Sequence, residues 1–140
     1  MTIGYRPRVV LYSFEALSES ARLGVIAHLV EALAQTNMAW LEERPHTPGL
    51  YDSGIRYVER GLGICGDDWR DIPACLAAGN GVCEDLSAWR IAELRVRHGI
   101  WANPLITSQK VGDTLIYHVR LELPDGSIED PSVALGMKPY

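Results

Sequence analysis

Gly79-Asn80-Gly81-Val82-Cys83-Glu84-Asp85-Leu86 is the stretch that decides the fold of this 140-residue chain. Glycines precede the cysteine, and apolar residues at helical spacing follow it, with no glycine or proline before Gly99. The pattern predicts a helix from about Cys83 to His98. A thiol in the first turn of a helix lies near unpaired backbone N–H groups, which favour the thiolate and lower the thiol pKa. We therefore interpret Cys83 as a candidate nucleophile.

A histidine and an aspartate follow this cysteine along the chain. His118 lies in the alternating stretch Leu115 to Leu123, which predicts a strand, and Asp130 comes soon after a strong turn at Pro124 to Ser127. An imidazole beside a thiol can accept its proton, and a carboxylate can hold that imidazole in one tautomer. We expect Cys83, His118 and Asp130 to form a catalytic site.

The register of the predicted hairpin decides which acidic residue accompanies the histidine. A two-residue turn at Asp125-Gly126 places Asp130 on the strand face opposite His118. A three-residue loop with a bulge pairs Glu122 with Asp130 and restores a common face. We predict the bulged loop, with Glu129 as the alternative residue.

Donors that could stabilise an oxyanion are harder to assign from the sequence. The backbone N–H of Cys83 is a natural first donor, and Trp69 and Asn80 are the candidates for a second. Glu84 and Asp85, beside the thiol, are interpreted as first-turn carboxylates that favour the helix, since any effect on the thiol would raise its pKa.

These motifs resemble the transglutaminase-like superfamily of papain-fold enzymes. In that superfamily a Gly-x-Cys helix start precedes a strand histidine and an Asp-Pro, matched here by Gly81-Val82-Cys83, His118 and Asp130-Pro131. The resemblance spans roughly Tyr51 to Met137 and is strongest to bacterial transglutaminase-like cysteine proteinases and to short versions encoded by tailed bacteriophages. Four further residues ahead of the cysteine add to it: Trp69, Pro73, Leu76 and Gly79.

The resemblance implies an α+β fold with a papain-like core, in which the cysteine helix packs on an antiparallel sheet. It also implies a cysteine protease, amidase or transglutaminase that acts on amide or peptide bonds through Cys83, His118 and Asp130, without a cofactor. Its partners would be protein or peptide substrates, including phage structural proteins during virion morphogenesis. Papain has a glutamine six residues before its cysteine, where this chain has Ala77. The alternative is a non-catalytic virion structural or assembly module that keeps the fold.

Composition narrows the classes of partner. Hydrophobic residues make up 47% of the chain, the net charge is −5, and lysines and arginines do not cluster, so nucleic acid and anionic membranes are poor partners. No apolar run approaches the ~20 residues of a membrane span. We expect a cytoplasmic protein, or a virion-associated one if a phage encodes it. The cysteines, Cys65, Cys75 and Cys83, are odd in number and lack metal-site spacing, which favours reduced thiols and no metal.

The chain is predicted to form one domain, residues 1–140. Its N-terminal part, residues 1–45, should contain a strand from Arg8 to Phe14 and a long helix from Ala21 to about Glu43. Residues 46–137 should form the catalytic core. There we predict a short helix that Asp71 and Pro73 begin, the cysteine helix, and antiparallel strands Trp101 to Thr107 and Leu115 to Leu123 joined by a turn-rich segment, residues 108–114.

Overall fold

The computed structural model describes residues 7–59 and 68–138. Within these ranges the architecture is mixed α+β, with helices packed on an antiparallel sheet. Cys65 lies outside the described residues. The elements are α1 (Glu19–Glu43), β1 (Arg56–Tyr57), α2 (Ile72–Ala78), β2 (Asn80–Gly81), α3 (Cys83–His98), β3 (Asn103–Val111), β4 (Thr114–Glu122), β5 (Ile128–Glu129) and α4 (Pro131–Ala134).

The helices begin and end where local signals place them. Ser18 caps α1, its hydroxyl accepting from the Ala21 N–H at 3.2 Å, and Asp71 caps α2 in the same way through Ala74. Gly79 and Gly99 end α2 and α3 in left-handed conformations, with φ of 80° and 64°, which glycine adopts without a Cβ clash. In the described part of the chain, no helix is long and apolar enough to cross a membrane.

Strands β3 and β4 form a long antiparallel hairpin. The pairing runs from Asn103 opposite Glu122 to Val111 opposite Thr114, so only Gly112 and Asp113 form the turn. The prediction that residues 108–114 form a turn-rich connection was therefore wrong. A glycine with φ of 62° is enough for a tight reversal, and most of the predicted connection continues the strands.

The register between β4 and β5 differs from both predicted alternatives. Leu121 pairs with Glu129 and Glu122 with Ile128, with residues 124–126 as a three-residue loop. Glu122 therefore does not pair with Asp130 as predicted, because the loop reverses the chain without an extra residue in the ladder. Continued by one residue, this register sets Asp130 opposite Arg120, on the same strand face as His118.

α3 is the central element of the core. One of its sides packs with α1 and with Val119 and Leu121 of β4. Its other side, which includes the fully buried Trp89, packs with α2 and with Leu50. Each large apolar side chain buried in this way contributes about 1.5–3 kcal/mol, so the position of the cysteine helix is strongly determined.

The N-terminal strand predicted from Arg8 to Phe14 is absent. Residues 7–11 have no regular structure, and Val9 and Tyr12 are 66% and 96% exposed. Phe14 is buried and begins a short 3₁₀ turn that leads to α1. A strand needs a partner for its backbone groups, and no neighbouring strand in the described ranges supplies one to this segment.

Candidate functional site

Cys83 is the first residue of α3. The backbone just before it, at Gly81, packs very closely against the start of the helix. A Cβ at Gly81 would lie 3.1 Å from Leu86 Cδ2 and 3.2 Å from Asp85 Cβ, both of which belong to the first turn of α3. Only glycine avoids this contact without displacing a neighbour. The Gly-x-Cys pattern thus has a steric cause, since the chain passes beside the helix that it is about to enter.

Asp85 joins the start of α3 to the segment before α2. Its carboxylate is fully buried and accepts from the Val82 N–H at 3.1 Å and from the Arg70 N–H at 2.7 Å. The first contact satisfies a backbone donor at the helix start. The second holds Trp69 close to the cysteine helix, and Trp69 packs against the core cluster that contains Cys83.

The Cys83 thiol lies in a protected and negatively charged environment. The residue is 8% exposed, and its thiol donates to Glu84 Oε2 at 3.3 Å. Burial raises the pKa of the Cys83 thiol well above its ordinary value, and the Glu84 charge raises it further; hydrogen bonding from the backbone at Val119 partly opposes this. The lowered pKa predicted from the helix N-terminus was wrong, because desolvation and a buried neighbouring carboxylate outweigh the helix.

The thiol also lies at the open edge of β4. Ser87, one turn along α3, donates its hydroxyl to the Val119 carbonyl at 3.0 Å. The N–H and C=O of one residue in an antiparallel strand point to the same side, so the Val119 N–H also faces α3, where it contacts the thiol. That N–H belongs to the peptide group between His118 and Val119, and the nucleophile candidate thus lies against the backbone of the histidine candidate.

His118 and Asp130 are brought together directly. His118 Nε2 lies 2.8 Å from Asp130 Oδ2, and Asp130 Oδ1 accepts from the Val133 N–H at 3.3 Å, so Asp130 also caps α4. His118 lies on the face of β4 opposite Val119, which packs in the core with α3. Within the described residues, His118 Nδ1 makes no hydrogen bond, and the thiol of Cys83 is not bonded to the ring.

Glu129, the alternative to Asp130, has a different position. Its carboxylate accepts from Arg90 Nε and from the Tyr51 hydroxyl, both at 2.7 Å. Arg90 also donates to Glu93 Oε2 at 2.6 Å. Burial and then the Glu129 carboxylate raise the pKa of Tyr51. Glu129 therefore joins β5 to α3, while Asp130, the next residue, contacts the imidazole.

The two candidates for a second oxyanion donor differ in their surroundings. Asn80 is engaged elsewhere: its Oδ1 accepts from Arg70 Nη1 at 2.7 Å, and its Nδ2 donates to the Ala78 carbonyl at 3.4 Å. Trp69 is partly buried beside the cluster that contains Cys83. The Asn80 amide is thus occupied, whereas Trp69 packs against the cluster to which Cys83 belongs.

A cavity of about 280 Å³ lies beside the imidazole. His118, Asp130 and Arg120 contribute to its wall, and Cys83 is not among the lining residues. Arg120 is a functional candidate that the sequence argument did not select. The feature that could have identified it is its position two residues after His118 on the same strand, which places both side chains on one face of the sheet.

No metal site accompanies these residues in the described ranges, where no group of three or more His, Cys, Asp or Glu side chains is placed to hold an ion. Among the described residues, neither Cys75 nor Cys83 forms a disulfide bond. The arrangement can therefore offer a thiol, an imidazole held by a carboxylate, and backbone N–H donors at the start of α3.

Comparisons of the chain with family models, with curated proteins and with solved structures find no match.

Proposed function

We propose that the chain is a cysteine-dependent acyl-transfer enzyme with a transglutaminase-like, papain-like core, acting on amide or peptide bonds. In this proposal Cys83 is the nucleophile, His118 is the base and then the acid, and Asp130 orients the imidazole. The observation that carries the proposal is the 2.8 Å contact from His118 Nε2 to Asp130 Oδ2, with the Cys83 thiol against the peptide group that follows His118.

The free nitrogen of the imidazole supports these roles. A histidine whose Nε2 donates to Asp130 holds its acceptor lone pair on Nδ1, which has no hydrogen-bond partner in the described chain. Catalytic hydrogen bonds are often long or poorly aligned before substrate binds and tighten in the complex. We propose that substrate binding brings this nitrogen and the thiol into line.

The raised pKa of the Cys83 thiol determines how the first step proceeds. The thiol is protonated at neutral pH, so attack requires proton removal in the same step rather than a preformed thiolate. Sγ bonds to the substrate carbonyl carbon while His118 Nδ1 takes the thiol proton. The carbonyl electron pair moves to the oxygen, which the backbone N–H of Cys83 at the start of α3 stabilises.

The second half of the reaction returns the proton. The imidazolium of His118 donates it to the leaving amine as the carbon–nitrogen bond breaks, which leaves an acyl thioester on Cys83. Water then attacks the thioester, giving hydrolysis, or a second amine attacks it, giving amide transfer. His118 removes a proton from either nucleophile and returns it to the thiolate. These steps require no cofactor.

The second candidate function is a non-catalytic interaction module that keeps this fold, such as a virion structural or assembly protein. The burial of the thiol and its hydrogen bond to Glu84 favour it, since both oppose nucleophilic attack. In that case Cys83 and Glu84 would serve packing, and His118 with Asp130 would join β4 to α4.

An activity-based probe distinguishes the two functions. The purified protein would be incubated with a mixture of peptides that end in a thiol-reactive vinyl sulfone, and adducts would be mapped by mass spectrometry. We expect saturable labelling of Cys83 that His118→Ala abolishes and Cys75→Ser leaves unchanged. Unlabelled Cys83, or labelling independent of His118, would favour the interaction module.

A further inference from the structure

The cavity beside His118 is built on the outer face of the β3–β4 hairpin. Thr107, Ile116 and Gln109 contribute to its wall together with His118 and Arg120. Thr107 pairs directly with His118 across the strands, and Gln109 pairs with Ile116. Val133 of α4 and Met137, which follows α4, also line the cavity. The wall thus combines an apolar surface with a hydroxyl, an amide and a guanidinium.

Arg120 is a cation without a partner in this wall. It makes no hydrogen bond or ion pair with any residue of the described ranges, and its Nε is buried and unsatisfied. A buried donor that lacks a partner is costly, and the group that best satisfies a guanidinium fork is a carboxylate or phosphate. The nearby Asp130 does not fill this role, because its two oxygens contact His118 and the Val133 N–H.

The two opposite charges in this wall are not paired with each other. Both oxygens of Asp130 are occupied by hydrogen bonds from His118 and the Val133 N–H, while the Arg120 guanidinium has no acidic partner among the described residues. Glu122, the next residue on this face, is exposed and forms no ion pair with Arg120. An anion that enters the cavity would meet a bidentate donor at Arg120, with the Thr107 hydroxyl and the Gln109 amide in the same wall.

We propose that this cavity binds a carboxylate of the substrate and that Arg120 is a specificity-determining residue. The inference rests on the proposed function and adds a substrate class to it, namely acyl donors that carry a carboxylate close to the cleaved bond. His118 and Arg120 stand two residues apart on one strand, a Cα separation of about 7 Å. That distance is about two residues of extended peptide, so the carboxylate belongs to a residue beside the scissile bond.

Two kinds of substrate present such a carboxylate. One has an aspartate or glutamate side chain next to the cleaved bond, and the other ends in a free C-terminal carboxylate there. A matched set of small compounds separates them: N-acetylglutamate α-amide carries only the side-chain acid, N-acetylglutamine only the terminal acid, and N-acetylglutamine α-amide neither. NMR titration of the wild-type protein with each compound measures binding without requiring catalysis.

We expect saturable changes in the NMR signals of His118 and Arg120 with at least one of the two acids. N-acetylglutamine α-amide, which has no acid, should bind about ten- to a hundredfold more weakly, the range for losing a hydrogen-bonded charge contact. Arg120→Gln should abolish the difference, and Arg120→Lys should restore part of it, which separates a charge effect from misfolding. Arg44→Gln changes an exposed arginine that is distant from Arg120 in the sequence, and this variant should bind the three compounds as the wild type does. Equal binding of all three compounds, or preference retained in Arg120→Gln, would overturn the inference.

The vinyl sulfone assay then separates this inference from the proposed function. Peptide probes with glutamate or glutamine next to the reactive group should label Cys83 at rates that differ about tenfold or more in the wild type and not in Arg120→Gln. Carboxylate binding without any labelling would leave the cavity assignment standing and reject the enzyme. Labelling with no dependence on the carboxylate would reject the specificity assignment and keep the enzyme.

Discussion

Arg90 donates from Nε to Glu129 Oε2 at 2.7 Å, and this contact joins the helix that begins with Cys83 to the strand that delivers Asp130. Arg90 stands on α3, two turns beyond the cysteine, and Glu129 is the residue just before the aspartate. The ion pair is partly buried, and Glu93 and Tyr51 extend it. The candidate nucleophile and the candidate orienting carboxylate are thereby fixed to one framework.

The first prediction tests this framework. Glu129→Gln keeps the size of the side chain and removes its charge, so the contacts with Arg90 and Tyr51 weaken. We expect a loss of about 1–3 kcal/mol in the free energy of unfolding, measured by urea titration. Glu43→Gln is the matched control, because its pair with Arg44 is exposed and should contribute under about 1 kcal/mol. Equal effects of the two changes would show that the Glu129 contact is not structural.

Asp130→Asn should separate orientation from folding. Asparagine still caps α4 through its amide oxygen, so we expect thermal unfolding within a few degrees of the wild type. The amide cannot select the imidazole tautomer as the carboxylate does, and catalysis should fall about ten- to a thousandfold. The readout is the rate of Cys83 labelling by the reactive peptide probe. Asp130→Ser, which also caps but is too short to reach His118, should lose a comparable amount; an unchanged rate in both variants would remove Asp130 from the site.

The chemistry of the thiol should respond to its carboxylate neighbour. Because the Glu84 charge raises the pKa of the Cys83 thiol, Glu84→Gln should lower that pKa and increase the thiolate fraction at a given pH. One pKa unit changes this fraction about tenfold, so iodoacetamide should alkylate the variant several-fold faster at pH 8. Mass mapping of the alkylated peptide from about pH 6 to about pH 10 follows the rise of the thiolate fraction with pH in each variant.

The same assay carries its own comparisons. Glu42→Gln changes an exposed residue of α1 and should leave the Cys83 midpoint in place. Cys75, a buried thiol, reports any global opening of the fold. A Cys83 midpoint below its ordinary value in the wild type would mean that the helix N-terminus outweighs burial after all.

Asp85 should be essential for the start of α3. In Asp85→Asn, one acceptor oxygen becomes an N–H donor group that faces the N–H groups of Val82 and Arg70. We expect a loss of about 2–3 kcal/mol of unfolding free energy, as for a buried donor left without its charged acceptor. Asp113→Asn, in the exposed turn between β3 and β4, should change stability by about 0.5 kcal/mol or less. A melting temperature of Asp85→Asn equal to that of the wild type would contradict this role.

The sequence by itself determined α1, α2 and α3 and the residues at which α2 and α3 end, but it did not predict α4. Ser18 and Asp71 start α1 and α2, and Gly79 and Gly99 end α2 and α3, because caps and left-handed glycines act within a few residues of chain. The strand character of the stretch around His118 was also predictable, since alternation is local. These properties depend on interactions between residues that are close together in the sequence.

Only the tertiary structure decided what the side chains meet. The sequence around Val9 does not show that this segment lacks a strand partner among the described residues. The register of the hairpin formed by β4 and β5 depends on how the loop between them closes. The pKa of the Cys83 thiol rose because packing excludes water and holds Glu84 beside it. Arg120 became a candidate because no acidic side chain of the described chain reaches it. Solvent exclusion and pairing are properties of distant segments brought together, and a linear pattern does not contain those distances.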